Sequence, residues 1–118
     1  MGNPTNHKFT VHFRTVDVKS FNLIKNGIKT IETRAATKKY RNLGVGDTLV
    51  VVCGKRRIEK KIRKVRYFKS IGSMLRAVPY KKVNPLFTSV AAAEKIYFGY
   101  PGYRGKIKKF GLVALELK

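Results

Sequence analysis

The spacing of apolar positions changes several times along the chain, and each spacing predicts an element. Phe9, Val11 and Phe13 alternate with Thr10, His12 and Arg14, the period of a half-buried strand. Val18, Phe21, Ile24 and Ile28 then recur at helical intervals, with Asp17 placed to cap the start and Gly27 to take the left-handed conformation beyond the last turn. Ile28 is expected to fold back on Leu23. A second strand is read from Lys29 to Ala35, followed by a basic polar loop. Gly44 and Gly46-Asp47 mark a turn into the apolar run Leu49 to Val52, a buried strand.

The second half is less regular. Ile58, Ile62 and Val65 fit a helix, but Gly54 and the branched residues fit a strand, so periodicity leaves Lys55 to Arg66 open. Ser70 can cap a short helix through Met74 and Leu75, Pro79 and Pro85 interrupt the chain, and Ser89 can cap a helix carrying Val90, Ala93, Tyr97 and Phe98. Gly99 to Gly105 reads as a loop rich in glycine and tyrosine. It leads to a last strand carrying Phe110, Leu112, Ala114 and Leu117, expected to be central and buried on both faces. A disordered tail over residues 1–7 and one domain over 8–118 are expected. A chain of 118 residues buries roughly two-thirds of its unfolded surface, enough for a core without staples.

Composition narrows the function. No stretch is long and uncharged enough to cross a membrane as a helix, and residues 1–7 lack the apolar run of a secretory signal; a cytoplasmic location is expected. The single Cys53 lies in an apolar run and reads as a small buried side chain. The decisive feature is charge: 27 Lys and Arg against 6 Asp and Glu give a net +21. A field of that sign recruits polyanions, nucleic acid above all. An anionic membrane would call for a basic helix with a broad apolar face, which the sequence lacks, and simple solubility does not require so few acids.

One of those six acids stands in Gly27-Ile28-Lys29-Thr30-Ile31-Glu32-Thr33-Arg34. The pattern Gly-x-Lys-x-x-Glu-x-Arg directly after a helix resembles the signature of the ASCH domain, a member of the PUA-like superfamily. The likeness runs from Phe9 onward, through Val45-Gly46-Asp47, Phe68-Lys69-Ser70-Ile71 and the closing Phe110 to Glu116. The resemblance implies an α+β, PUA-like fold: a mixed, mostly antiparallel β-barrel with two or three helices packed on it. It also decides Lys55 to Arg66 for a strand, paired with its predecessor across Gly54-Lys55. RNA binding in a cleft lined by the signature residues is implied as well. Some relatives hydrolyse RNA, and a related group removes the acetyl group from acetylated cytidine.

On an ideal strand Thr30, Glu32 and Arg34 share one face, and Lys29, Ile31 and Thr33 the other. Glu32 beside Arg34 stays ionised and aims the guanidinium fork, leaving donors for a phosphate or a base edge; Lys29 would be a second anchor. A surface ion pair of little worth is the plainer reading, and the resemblance favours the cleft. The deacetylating relatives use a lysine and, three residues later, a threonine. Here Lys29 is followed at that spacing by Glu32, and Leu75 to Pro85 holds no acid to match their distant glutamate. Lys29, Glu32 and Arg34 remain the catalytic candidates, with Glu32 as a base for RNA cleavage.

Two further groups stand out. Lys55, Arg56, Arg57, Lys60, Lys61, Arg63, Lys64 and Arg66 form a basic run fit to track a phosphate backbone. Tyr100, Tyr103 and Arg104, with Tyr97, could stack unpaired bases, although at least one tyrosine is expected to pack on the barrel. His7 and His12 lack partners at metal-ligand spacing, so neither metal nor cofactor is expected. The reading is an RNA-binding domain whose oligomeric state the sequence leaves open, a monomer being favoured, with a small hydrolase or a generic nucleic-acid or ribosome-associated protein as alternatives.

Overall fold

The computed structural model describes residues 7–118. Of the tail expected over residues 1–7, residues 1–6 lie outside the described residues; His7 is bonded through its backbone to Thr48 and to the Asp47 carboxylate. Five strands form one curled sheet, a half-barrel, in the order β1 (Lys8–Phe13), β3 (Thr48–Cys53), β4 (Arg56–Phe68), β5 (Leu112–Leu117), β2 (Ile31–Ala35). β1 runs parallel to β3, and the other neighbours are antiparallel. Six helices pack on the sheet: α1 (Val18–Lys25), α2 (Lys38–Arg41), α3 (Ile71–Ala77), α4 (Tyr80–Val83), α5 (Val90–Phe98) and α6 (Tyr103–Phe110). The α+β, PUA-like expectation holds, with more helices than the two or three foreseen.

The alternating β1, the apolar β3 and the final strand fall where the pattern placed them. α1 ends as its glycine requires: Gly27 has φ +76°, its amide donates to Ile24, and the Ile28 amide donates to Leu23, which closes the helix through two otherwise orphaned carbonyls. Ser70 and Ser89 cap α3 and α5 through the amides of Ser73 and Ala92. Asp17 does not cap α1; its carboxylate accepts from Arg14 at 2.8 Å instead.

The largest departure is α6. The expected loop is continuous only to Gly102, whose φ of +75° turns the chain into a helix carrying Tyr103, Ile107 and Phe110 at helical spacing. Phe110 therefore ends a helix rather than opening a strand. Gly111 makes the junction, with φ +75° and so close to β4 that a Cβ there would lie 2.3 Å from the Phe68 carbonyl. α2 and α4 likewise replace stretches read as irregular.

β5 divides two cores. Val113, Leu115 and Leu117 face an inner core with Val11, Phe21, Ile24 and Leu49. Leu112 and Ala114 face an outer one with Met74, Phe87 and Tyr97 from the helices. The strand is interior and buried on both faces, as its composition predicts.

Candidate functional site

β1 and β2 are the two edges of the curled sheet and have no ladder between them. A cavity of about 270 Å³ occupies this seam. Phe13 and Arg14 at the end of β1 form one wall, Glu32, Thr33 and Arg34 of β2 the opposite one, and Tyr97, Tyr100 and Tyr103 a third. Because β2 is an edge strand, residues from both of its faces reach the opening.

Glu32 lies at the centre of the polar end. It is 4% exposed, and one carboxylate oxygen accepts from the Thr33 amide at 3.0 Å and meets Lys29 Nζ at 3.3 Å. The other accepts from Arg34 Nη2 at 3.2 Å. The alternation expected from Lys29 onward would have turned Lys29 away. The strand begins only at Ile31, because the Lys29 amide is engaged by Leu23 at the end of α1, so Lys29 is free to swing toward Glu32. Its Nζ also donates to the carbonyls of Ile31 at 2.9 Å and Val83 at 2.5 Å. Lys29 Nζ is thus held by two carbonyls and one carboxylate, all of them from the protein.

Burial works against the charge on Glu32, but Lys29 and Arg34 together with the two hydrogen bonds outweigh it and hold the carboxyl below the usual range. Burial lowers Lys29, opposed by Glu32. Arg34 is also penalised by burial, and Glu32 more than restores it, keeping its pKa above the ordinary value. A carboxylate held in this way has little basicity, a geometry that suits aiming a cation better than accepting a proton.

Arg34 is fixed twice. Its Nη2 is held by Glu32, and its guanidinium lies 5.3 Å from the Phe13 ring centroid, within cation–π range. Among the described residues no buried side-chain nitrogen or oxygen lacks a partner. The guanidinium nitrogens that Glu32 does not engage are therefore accessible to solvent, and Arg34 lines the cavity.

The tyrosines divide as expected. Tyr97 is 5% exposed and shares a hydrogen bond with Thr33, and burial raises its pKa. Tyr100 and Tyr103 are half-buried, stacked edge to face with centroids 5.4 Å apart, and both line the cavity. Arg104 does not join them; it is exposed and lies over Phe98 at 4.3 Å.

None of the eight cations of the 55–66 run lines the cavity, and five of them share one face of β4. Alternation sets Arg57, Lys61 and Arg63 on the face opposite Ile58 and Ile62. A bulge at Arg63, between the pairs Ile62–Leu117 and Lys64–Glu116, keeps Lys64 and Arg66 on that same side, which is also the side of Leu112 and Ala114. Arg56 and Lys60 share the side of Ile58 and Ile62, where Arg56 reaches Asn22 of α1 at 3.4 Å; Lys55 is exposed in the turn. Sequence reasoning missed Phe13, Arg14, Asp17 and Phe87 as cavity residues. The half-buried aromatic beside a cation at the end of β1 was the available signal for the first two.

Among the described residues no three potential metal ligands cluster, and no helix is long and apolar enough to cross a membrane. No protein of curated function matches the chain. Solved structures do, two of them over nearly the whole chain. The crystal structure of the hypothetical protein PH0355 is 28% identical with a TM-score of 0.81, covering 94% of this chain and 97% of that one. The solution structure of protein PF0455 from Pyrococcus furiosus is 26% identical with a TM-score of 0.70, covering 94% and 96%. The family model of the ASCH domain matches residues 15–118, which takes in every element after β1 and the whole Lys29–Glu32–Arg34 cluster. The chain belongs to the ASCH domain family.

Proposed function

We propose that this ASCH domain binds RNA, receiving one unpaired nucleotide of a single strand in the seam between β1 and β2 while exposed lysines and arginines hold the flanking phosphates. The carrying observation is the combination within that seam: aromatic walls, and a guanidinium fixed by Glu32 and Phe13 with donors to spare. Tyr100 and Tyr103 would stack on the base. Lys29 would act through Glu32, keeping the carboxylate in place so that Arg34 is aimed. A volume of about 270 Å³ lies near the lower end of small-ligand pockets, about 300 Å³, and suits a splayed-out base rather than a duplex. The net charge of +21 supplies the long-range attraction.

The test is titration of labelled single-stranded RNA and matched DNA across a salt series, with the RNA run on a gel afterwards. The expected result is a preference for RNA that survives near-physiological salt, falls on Arg34→Ala, and leaves the RNA intact. Equal binding of RNA and DNA that salt abolishes would reduce the protein to a generic polyanion binder. Shortened RNA would make it a hydrolase.

A further inference from the structure

We infer that the seam selects a base presenting two adjacent hydrogen-bond acceptors on one edge, guanine through O6 and N7 or cytosine through O2 and N3, and that Arg34 is the residue that reads it. This rests on the RNA-binding reading above and adds the base class to it.

The argument starts from the guanidinium. Its fork has two edges, and the hydrogens of Nη2 serve one edge each. Glu32 accepts from Nη2 alone, so one edge keeps both parallel donors. Rotation of that edge is restricted, because Glu32 holds one corner and the guanidinium carbon lies over the Phe13 ring, 5.3 Å from its centroid. The side chain is 21% exposed and lines the cavity.

Two parallel donors match two adjacent acceptors. Adenine sets its amino group beside N1 and N7, and uracil places N3–H between its two carbonyls. Either would bring a donor against a donor, or leave one N–H of Arg34 without a partner in a half-closed site.

A phosphate also satisfies a guanidinium fork, but the remaining walls argue for a base. Val83, Phe87, Ile96 and the tyrosine rings surround the space. They would strip water from an anion and return nothing, whereas a flat neutral ring buries its faces against them. The cavity's cations Arg14, Lys29 and Arg34 are already paired with Asp17 and Glu32 at 2.8 to 3.3 Å, which leaves less charge to offset that of an anion.

The test uses the whole chain and fluorescence anisotropy with a uridine-rich RNA whose central position is guanine, cytosine, adenine, uracil or abasic. The guanine or the cytosine oligonucleotide should bind about tenfold more tightly than the adenine, uracil and abasic ones, the discrimination of one bidentate pair. Replacing guanine by 7-deazaguanine, which lacks N7, should abolish a guanine preference and leave a cytosine preference untouched. Arg34→Lys, with an unchanged circular dichroism spectrum, keeps the charge, loses the fork and should flatten the ranking. The inference is overturned if neither guanine nor cytosine is preferred, if the abasic strand binds as well as the best base, if a guanine preference ignores N7, or if folded Arg34→Lys keeps the ranking. Binding without base preference would overturn only the base assignment; absence of binding to every strand would overturn the RNA reading with it.

Discussion

Two glutamates in this protein each sit between two cations. Glu32 meets Lys29 at 3.3 Å and Arg34 at 3.2 Å; Glu59, on β4, meets Lys8 at 3.4 Å and Arg57 at 2.8 Å. The surface pair has the shorter contact, and both carboxyls are held below the ordinary range: Glu32 by charges that outweigh its burial, Glu59 first by its hydrogen bond from Arg57. They differ in surroundings, since the Glu59 side chain is 39% exposed and that of Glu32 5%. Around Glu59 water screens the charges and each partner can reorient. Around Glu32 the three charges have lost most of their water and depend on one another. The comparison separates two uses of positive charge: exposed cations that set a general attraction, and a buried cluster that fixes one guanidinium in one direction.

The largest effect should come from Glu32→Ala, which strands Lys29 and Arg34 as buried, uncompensated cations. Unfolding in urea should show a loss of about 3–5 kcal/mol, while Glu59→Ala should leave the midpoint in place. Equal shifts for the two would erase the distinction between them.

Next come Tyr100→Ala and Tyr103→Ala. A stacked base contributes about 1–3 kcal/mol, so Kd for single-stranded RNA should rise roughly tenfold for either variant, with the slope of log affinity against log salt unchanged. Removing Lys61 and Lys64 together should do the reverse: a weaker affinity for every strand and a salt slope shallower by about 0.7 for each phosphate no longer neutralised.

The smallest effect is with pH. The folded pKa of Glu32 lies below its unfolded value of about 4.3, so its ionised form contributes stability that is complete above that value and is lost as pH falls through the folded one. Acid unfolding of Glu32→Gln should therefore depend less steeply on pH in that window than that of the native chain. An identical acid limb would show that Glu32 does not carry the difference.

Much of the scaffold was legible because local chemistry and tertiary structure agree in it. The alternation of Phe9, Val11 and Phe13, the glycine after α1 and the serines before α3 and α5 each serve the fold directly. α6 was illegible for the opposite reason: Gly102 and Gly105 advertise a loop, whereas Tyr103 and Ile107 are held helical by the outer core. β4 required the family resemblance, since its bulge at Arg63 interrupts the period that would have identified a strand. In the site, Glu32 and Arg34 were paired correctly from strand geometry alone. The place of Lys29 was not readable, because its position depends on Val83, 54 residues away, and no local pattern reports so distant a carbonyl.

The position of β5 has a consequence for how the chain folds. It follows every other element in the sequence, yet it lies inside the sheet, joins β4 to β2 and supplies apolar side chains to both cores. The pair Ile31–Glu116 closes everything from β2 to β5 into one loop, and pairings of such separation form slowly. Until β5 docks, β2 has no sheet partner and each core lacks one of its walls. The seam is therefore assembled in the step that completes the domain, so that binding competence and global folding should emerge on the same timescale in a refolding experiment.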